Sequence, residues 1–418
     1  MRMLAIRCEL ALLLMIVLIL AGTIAYAGEV VTIDGVPHIR NDAEPSQGKR
    51  TMQMQELWRI GGDDDDAFFG LITQLLSDKD GNIYILDSQL CEVQVYTSEG
   101  KHLKTLFRAG EGPGEVRRAR NLALLGDGSV GVIQEFPGTM IRADKDNNPV
   151  ASVELHKPGR DGFMILDGCF AGGETLVFSG THAQQRVDGI QNRLSFLGIF
   201  SQAGEEMARL AEAPYVRNYR NLVIAESVEL PAFFWASCVG PDGMVYTAPD
   251  RDKYAIKVFS PSGKLERVVE REYQHYKRSQ TEWQRLYDAI EGLLQGADIE
   301  IKIEIEKNDY DILAMQHGVR VREDNSLWVL PSRGAHDQPP GVMLTFDVFD
   351  PAGHFIEQVS FACEGDGIWD GFFFVGEDRV VVVTGHVEGI LAQYGGGTNT
   401  YDSGEGAAME VICYQIEK

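Results

Sequence analysis

The chain has 418 residues and carries 62 acidic against 38 basic side chains, a formal net charge of −24 at pH 7. Such an acidic surface repels phosphate backbones, which argues against a nucleic-acid-binding protein and favours solubility or an affinity for cations and basic partners. The hydrophobic content of 44% is ordinary for a soluble globular protein.

The first 27 residues predict an export signal that is not part of the fold. Arg2 and Arg7 precede an apolar run over 10–21, and a small-x-small tripeptide ends the segment. The apolar run is shorter than the ~20 residues that span a membrane. We therefore predict a signal peptide (1–27) and a mature chain without a membrane span, exported to the periplasm or the extracellular space. An uncleaved N-terminal membrane anchor is the alternative.

Five cysteines remain after the predicted cleavage site, and no two of them have the CxxC spacing of a zinc site. Most lie beside apolar residues of predicted strands, which favours buried thiols that pack as small hydrophobic side chains. A long-range disulfide is the alternative, because exported proteins fold in an oxidising compartment.

Residues 28–50 contain a short strand-like piece followed by a polar connector, and 55–60 reads as a separate short strand. The stretch 80–110 then reads as a strand, a polar corner, a second strand, a tight turn and a third strand, the pattern of a meander. Five further stretches repeat this plan. The first hairpin turns of the six units are Asp80-Gly81, Asp127-Gly128, Gly172-Gly173, Asp242-Gly243, Asp324-Asn325 and Glu377-Asp378.

The last unit has no outer strand of its own, because the chain ends shortly after the strand 409–416. The strand 55–60 has the form of an outer strand that belongs to a unit elsewhere in the chain. These two observations predict an all-β fold over 28–418, a six-bladed β-propeller closed by an N-terminal strand.

Two segments break the repeat. Residues 274–317 lie between the fourth and fifth units and contain a capping box, Ser279 to Glu282, followed by apolar residues at helical spacing. They predict a small helical insertion between blades 4 and 5, a lid on the propeller face. Within it, 299–306 alternates strictly and predicts a strand, with a continued helix as the alternative. The Gly-rich segment 391–408 predicts a flexible loop.

Three motifs carry a resemblance to a known group: DGNIYILD at 80–87, the hairpin QVYTSEGKHLKTL at 94–106, and the loop GEGPGE at 110–115. They resemble the six-bladed β-propellers related to NHL repeats, of the TolB-like type, which are common among bacterial secreted proteins. The resemblance covers roughly 30–418 and implies the fold. It does not choose an activity, because such propellers include carbohydrate- and protein-binding modules, lyases and lactone hydrolases.

Propeller topology places the corner after each second strand and the crossover to the next blade on one face, around the central channel. We expect this loop-rich face to carry the function. The candidate ligand-binding residues are Asp87, Glu135, His182, Asp250, Arg333 and His386 at the corners, and Arg117 and Arg118 in a crossover.

The candidates have two interpretations each. The histidines with the carboxylates could hold a divalent cation or perform acid–base chemistry, or they could be solvated or bonded to strand ends. Arg117 and Arg118 could receive a carboxylate or an anionic sugar, or pair with acidic loops. The acidic run 63–66 lacks the spacing of a calcium loop and is expected to be a solvated crossover.

The favoured hypothesis is a non-enzymatic, exported propeller that binds a protein, a small molecule or a carbohydrate on the loop-rich face. The alternative is a lyase or hydrolase that uses a divalent cation at the channel mouth with His182, His386 and a carboxylate. The sequence contains neither a GxSxG nor an HExxH motif. It leaves open the ligand, the metal content, the cysteine pairing and the oligomeric state.

Overall fold

The computed structural model describes residues 28–62, 67–155, 162–293, 301–313, 318–394 and 409–417. The predicted signal peptide, the acidic run 63–66 and the Gly-rich residues 395–408 lie outside them. So do short segments of a crossover (156–161) and of the insertion (294–300 and 314–317).

The chain begins with three strands, β1 (Glu29–Ile33), β2 (Val36–Asn41) and β3 (Lys49–Gly61). Three four-stranded antiparallel sheets follow in chain order. The first contains β4 (Ile72–Ser77), β5 (Ile83–Asp87), β6 (Glu92–Tyr96) and β7 (His102–Leu106). The second contains β8 (Ala119–Leu124), β9 (Val130–Gln134), β10 (Thr139–Ala143) and β11 (Pro149–Glu154). The third contains β12 (Phe163–Gly172), β13 (Thr175–Ala183), β14 (Ile190–Phe200) and β15 (Glu206–Asn218).

A short strand β16 (Leu222–Ala225), a one-turn helix α1 (Glu226–Glu229) and a 3₁₀ turn (Ala232–Phe234) lead to the fourth sheet. That sheet contains β17 (Ser237–Val239), β18 (Val245–Thr247), β19 (Ala255–Phe259) and β20 (Leu265–Arg271). Its outer edge is extended by β2, which pairs parallel to β20, and then by β1. The strand-like piece predicted within 28–50 is therefore a hairpin that covers an edge strand.

The insertion contains helix α2 (Gln280–Leu293) and strand β21 (Ile301–Glu304), which pairs parallel to β16. The fifth sheet then has β22 (Val319–Val321), β23 (Leu327–Val329), β24 (Leu344–Phe349) and β25 (Phe355–Ala362), with a short helix α3 (Arg333–His336) at its corner. The sixth has β26 (Gly371–Val375), β27 (Arg379–Val383), helix α4 (His386–Tyr394) and β28 (Glu410–Ile416).

Strand β3 closes the ring. Its second half pairs antiparallel to β28, from Glu410 opposite Gly61 to Ile416 opposite Met54. The prediction that the segment 55–60 completes the last unit is confirmed. Its first half also pairs parallel to β25, with Lys49 opposite Gln358, so that the fifth and sixth sheets form one continuous sheet.

The hydrophobic core lies between neighbouring sheets. Leu86 of the first sheet packs in one cluster with Leu122 of the second, and analogous clusters join the later sheets in turn. The last cluster brings Val381 of the sixth sheet against Ile85 of the first. The first strands also contact one another from the first sheet to the fifth, and that of the sixth sheet contacts that of the first. This ring of radially packed sheets is an all-β propeller, as predicted.

The insertion is helical where the capping box indicates. The backbone N–H of Glu282 donates to Ser279 Oγ (3.2 Å), and the N–H of Ser279 donates to Glu282 Oε2 (2.6 Å). The predicted strand within 299–306 is β21. The segment 391–408 is not a loop throughout, because α4 extends to Tyr394. Helix α4 forms because Val387 and Ile390 bury against the propeller.

All five cysteines of the predicted mature chain are free thiols in the structure, and Cys91, Cys169 and Cys413 are buried. Burial raises the pKa of the Cys413 thiol to about 12, so it stays protonated at neutral pH. Within the described residues, no helix has the length and apolar character that a membrane crossing requires.

Candidate functional site

Asp87 does not face open solvent at the channel mouth. It is fully buried at the end of β5. Its carboxylate accepts hydrogen bonds from the backbone N–H groups of Gly70 (2.6 Å), Leu71 (3.1 Å) and Leu90 (3.0 Å). Asp87 therefore ties the incoming crossover to its own corner, a structural task that occupies both carboxylate oxygens.

The predicted arginine cluster faces carboxylates of the same loops. Arg117 pairs with Glu111, and Arg118 lies 3.7 Å from Glu135. The nearby Arg120 is buried and lies between Glu135 (3.6 Å) and Asp167 (3.5 Å). Each basic group of this crossover has an acidic neighbour, as the alternative interpretation expects.

The two candidate histidines have unrelated surroundings. His182 is half-buried in β13 and lines a pocket of about 170 Å³ with Met164 and Phe196. His386 is fully buried at the start of α4, with Nδ1 3.4 Å from the carbonyl oxygen of Ile72. Burial lowers the pKa of His386 to about 4, so the ring is neutral at physiological pH.

The last two candidates also have local partners. Asp250 lies 3.8 Å from Lys253, and Arg333 donates to the carbonyl oxygens of Gln274 (2.7 Å) and His275 (3.2 Å). In the parts of the chain that the structure describes, no group of three or more His, Cys, Asp or Glu side chains is arranged to hold a metal ion. The eight predicted residues therefore have separate partners in the described structure and are not gathered at one site.

A larger pocket lies elsewhere on the loop-rich face, between the insertion helix α2, the corner helices α3 and α4, and the crossover 363–370. Its volume is about 340 Å³. We call its apolar lining residues the apolar wall: Leu286, Leu313, Ile368, Trp369 and Val387. We call its charged lining residues, which are partly interleaved with them, the charged wall: Glu226, Arg278, Glu282, Arg285, Asp309, His336 and Asp366.

Glu226 and Asp309 form the buried base of the charged wall. The side chain of Glu226 is 1% exposed and accepts from Arg251 (3.1 Å) and Arg278 (2.9 Å). Asp309 accepts from the same Arg278 at 2.6 Å. Burial disfavours the charged form of Asp309, but Arg278 and His336 outweigh it, so the pKa of Asp309 is lowered. Removing one member of such a buried set would leave an uncompensated charge.

His336 is held by two carboxylates. Its Nε2 lies 2.8 Å from Asp309 and its Nδ1 lies 2.9 Å from Glu282, and the ring stacks on Tyr276 with centroids 4.0 Å apart. Both nitrogens can donate to these acceptors at once only when the ring carries two protons. Burial opposes ionisation of Glu282, yet hydrogen bonds from Ser279 and the charge of His336 lower its pKa. His336 therefore links α3 to both ends of the insertion.

At the rim, Arg285 of α2 reaches across to the crossover and α4. Its guanidinium carbon lies 4.0 Å from the centroid of the Trp369 ring, and its nitrogens lie 2.9 Å from Glu388 and 3.5 Å from Asp366. Below it, Leu286 packs against Trp369 in a small apolar cluster. Of the described apolar residues of α2, Leu286 and Ala289 thus pack on the propeller face and Ile290 is buried, while Trp283 and Tyr287 are only partly buried.

Sequence reasoning missed most of this pocket because its residues come from crossovers and insertions that share no repeat position. Trp369, His336 and Asp309 are far apart in sequence and meet only through the ring. The one local signal was the capping box with the apolar stripe of α2, which identifies the lid but not the surface beneath it.

No protein-family model matches the chain, and no curated protein matches it. Among solved structures, it is similar to a member of the DUF4221 family from Bacteroides vulgatus (9% identity, 88% of this chain and 99% of that chain, TM-score 0.47). A gluconolactonase from Xanthomonas campestris has 11% identity over 94% of this chain and 98% of that chain, with a TM-score of 0.43. Virginiamycin B lyase from Staphylococcus aureus, solved with quinupristin, has 10% identity over 93% and 99%, with a TM-score of 0.40. The activities in these descriptions belong to those proteins.

Proposed function

We propose that this protein is an exported, six-bladed β-propeller that binds a small molecule or a side chain of a protein partner in the pocket beneath α2, without catalysing a reaction. The pocket carries the proposal. Its volume of about 340 Å³ falls within the roughly 300–1,000 Å³ of typical ligand sites, and it combines an apolar wall with a few convergent polar groups. The six antiparallel groups of four strands among the described residues support the blade count.

The state of the charged groups favours binding over catalysis. A general acid or base needs a nitrogen or oxygen that can reach the substrate proton. His336, the imidazole nearest the pocket, has both nitrogens engaged by Asp309 and Glu282. Arg278 is likewise committed to Glu226 and Asp309. Because these charged groups are already paired with one another, we expect them to hold the shape of the pocket, and we expect the residues at its rim to select the ligand.

A ligand screen by thermal shift on residues 28–418 tests the proposal, with sugars, amino acids and short peptides as probes. At a concentration 100-fold above Kd, a ligand stabilises the folded state by about 2.7 kcal/mol, which raises the melting temperature measurably. We expect Trp369→Leu to abolish this rise, because Trp369 forms the apolar wall.

Trp283→Leu is the matched control for this screen. Trp283 is a half-buried tryptophan of the same lid helix that stacks on Tyr287, and we expect this variant to keep the ligand-dependent rise. A ligand that stabilises the wild type and Trp369→Leu equally would bind elsewhere, and the proposal would be wrong. The proposal would also be wrong if none of the probes stabilised the protein.

Export is part of the proposal and rests on the segment 1–27. We expect full-length protein expressed in a Gram-negative host to appear in the periplasm or medium, with the mass of a chain that begins at Gly28. A protein in the membrane fraction whose intact mass includes residues 1–27 would instead indicate the uncleaved anchor.

A further inference from the structure

We propose that the ligand of this pocket carries a guanidinium group, such as an arginine side chain, and that Arg285 of α2 occupies the guanidinium position in the ligand-free protein. This inference rests on the proposed function and assigns the chemical class of its ligand. It derives from a side chain of the protein that already sits where such a ligand would bind.

The seat of Arg285 has the features of a guanidinium site. The group lies over the face of Trp369 at 4.0 Å, and carboxylates of Glu388 and Asp366 lie 2.9 Å and 3.5 Å from its nitrogens. An indole face attracts a cation through its ring quadrupole. A planar guanidinium can stack on the indole while its N–H groups donate sideways to carboxylates, which a compact ammonium group cannot do.

The propeller holds this seat in place independently of Arg285. Asp366 Oδ1 accepts from the backbone N–H groups of Ile368 (2.9 Å) and Trp369 (3.2 Å). The N–H of Val387 donates to the carbonyl oxygen of Trp369 (3.0 Å), which fixes the tryptophan to α4. The seat is therefore pre-organised, whereas its occupant reaches it on a long side chain from the insertion.

Arg285 is held weakly enough to be displaced. Its side chain is 49% exposed, and those of Asp366 and Glu388 are 49% and 44% exposed. Ion pairs this exposed contribute little net stability, because water and salt screen them. Swinging Arg285 into solvent opens the seat without breaking the buried pairs of Glu226 and Asp309.

The charge of the pocket selects a cation once Arg285 leaves. The carboxylates of Asp366 and Glu388 at its rim then lose their ion pairs with Arg285, whereas Glu226, Glu282 and Asp309 keep theirs with Arg251, Arg278 and His336. Arg278 is already committed to Glu226 and Asp309. The net charge of −24 adds a long-range attraction for basic ligands. An anionic ligand would meet repulsion at both scales.

Isothermal titration of the variant Arg285→Ala with N-acetyl-L-arginine amide tests the inference directly. Removing the internal competitor raises the fraction of open seats, so we expect the affinity to rise about tenfold over the wild type. Adding Trp369→Leu to this variant should abolish the gain. The lysine amide should bind more weakly, and the neutral citrulline amide, which keeps the planar shape, should not bind.

Arg40→Ala is the matched control. Arg40 is also 49% exposed and pairs with a carboxylate, Glu270, but it lies on β2 away from the pocket. We expect it to bind the arginine amide like the wild type. An arginine-containing peptide that binds Arg285→Ala more tightly than the amide would identify a protein as the source of the guanidinium, and equal affinities would identify a free small molecule.

Two failures are distinguishable. If Arg285→Ala binds the arginine amide no more tightly than the wild type, while another ligand stabilises the wild type in a Trp369-dependent manner, the pocket binds a different class and only this inference is wrong. If no ligand stabilises either protein through Trp369, the proposed function itself is wrong. Increasing salt should weaken the arginine affinity of Arg285→Ala, and an affinity independent of salt would also contradict the inference.

Discussion

Buried carboxylates have different partners on two sides of the loop-rich face. On the side of the first sheet, called the first side, backbone N–H groups of its own corner and the adjoining crossover donate to Asp87. On the insertion side, Glu226 and Asp309 are satisfied mainly by the side chains Arg251, Arg278 and His336, which come from separate segments. The first arrangement closes a turn. The second ties distant segments together and leaves a pocket above them.

The difference shows where a propeller can acquire a ligand site. At its corner Asp87 is buried, and three backbone N–H groups engage its two carboxylate oxygens. On the insertion side, backbone hydrogen bonds also join the segments, such as those from Arg278 N–H to Lys307 O and from Asp309 N–H to Tyr276 O (3.0 Å each). The pocket beside them is lined by apolar groups such as Trp369 and Leu286. We expect the two sides to differ in energy as well as in geometry.

The largest effect is expected for Glu226→Ala. The change leaves Arg251 and Arg278 buried without this carboxylate, and breaking a buried ion pair from one side costs about 3–5 kcal/mol. Urea unfolding of the variant and the wild type measures the loss of stability.

Glu44→Ala is the control for Glu226→Ala. The pair of Glu44 with Lys49 is at the surface, where Glu44 is 73% exposed, and such pairs contribute about 0–1 kcal/mol. If both variants lost the same stability, the buried network would not be the element that holds the insertion side together.

His386 links the two sides, because it starts α4 and contacts the backbone of β4. Its burial leads us to expect a loss of stability in mild acid. Burial lowers its pKa from 6.5 to about 4. Above pH 6.5 the ring is neutral in both the folded and the unfolded chain. As the pH falls towards 4, the unfolded chain binds a proton that the buried ring does not, so the folded state loses stability. The shift corresponds to about 3 kcal/mol. Unfolding free energies measured between pH 7 and pH 4 should fall less in His386→Leu than in the wild type.

The exposed His102 supplies the comparison for this pH series. His102→Gln should keep the wild-type pH dependence, since its ring lies at the surface beside Thr105. A wild-type stability that stays flat from pH 7 to pH 4 would show that His386 is not buried as described.

The repeat and its closure were predictable because local sequence patterns indicate both. Each hairpin turn sits between alternating apolar residues, and the incomplete last unit required a strand such as 55–60. The parallel pairings were not predictable. Arg40 lies opposite Glu270, and Lys49 lies opposite Gln358. A strand that joins an existing edge from far along the chain needs no turn, so it leaves no local signature.

The site was harder to predict than the fold, for a related physical reason. Residue type and corner position made Asp87 and His386 candidates, but both are buried and bonded to neighbouring backbone. Whether a corner carboxylate faces solvent depends on the crossover that lies against it, which the repeat does not specify. Trp369 and His336 meet across two crossovers and an insertion, and no spacing in the sequence joins them.

Asp87→Asn tests the first side. The amide keeps one acceptor oxygen, but its NH₂ group would face the N–H groups of Leu71 and Leu90 or Gly70, which leaves buried donors without acceptors. Such a change costs about 1–3 kcal/mol, less than the loss expected for Glu226→Ala. Asp80→Asn, in an exposed turn of the same sheet, should cost little in the same urea titration. A loss for Asp87→Asn that exceeds that of Glu226→Ala would reverse the comparison.

Ser279→Ala should have the smallest effect, and it shows whether the lid is a separate unit. The change removes the side-chain half of the capping box that starts α2, which costs about 1 kcal/mol. If α2 opens on its own, the loss appears as faster amide hydrogen exchange within 280–293, while the urea midpoint of the whole protein stays unchanged. Gln280→Ala, at the next and exposed position, should change neither quantity. A lowered midpoint with uniform exchange would mean that α2 unfolds only with the propeller, and Arg285 could then leave Trp369 only by side-chain rotation.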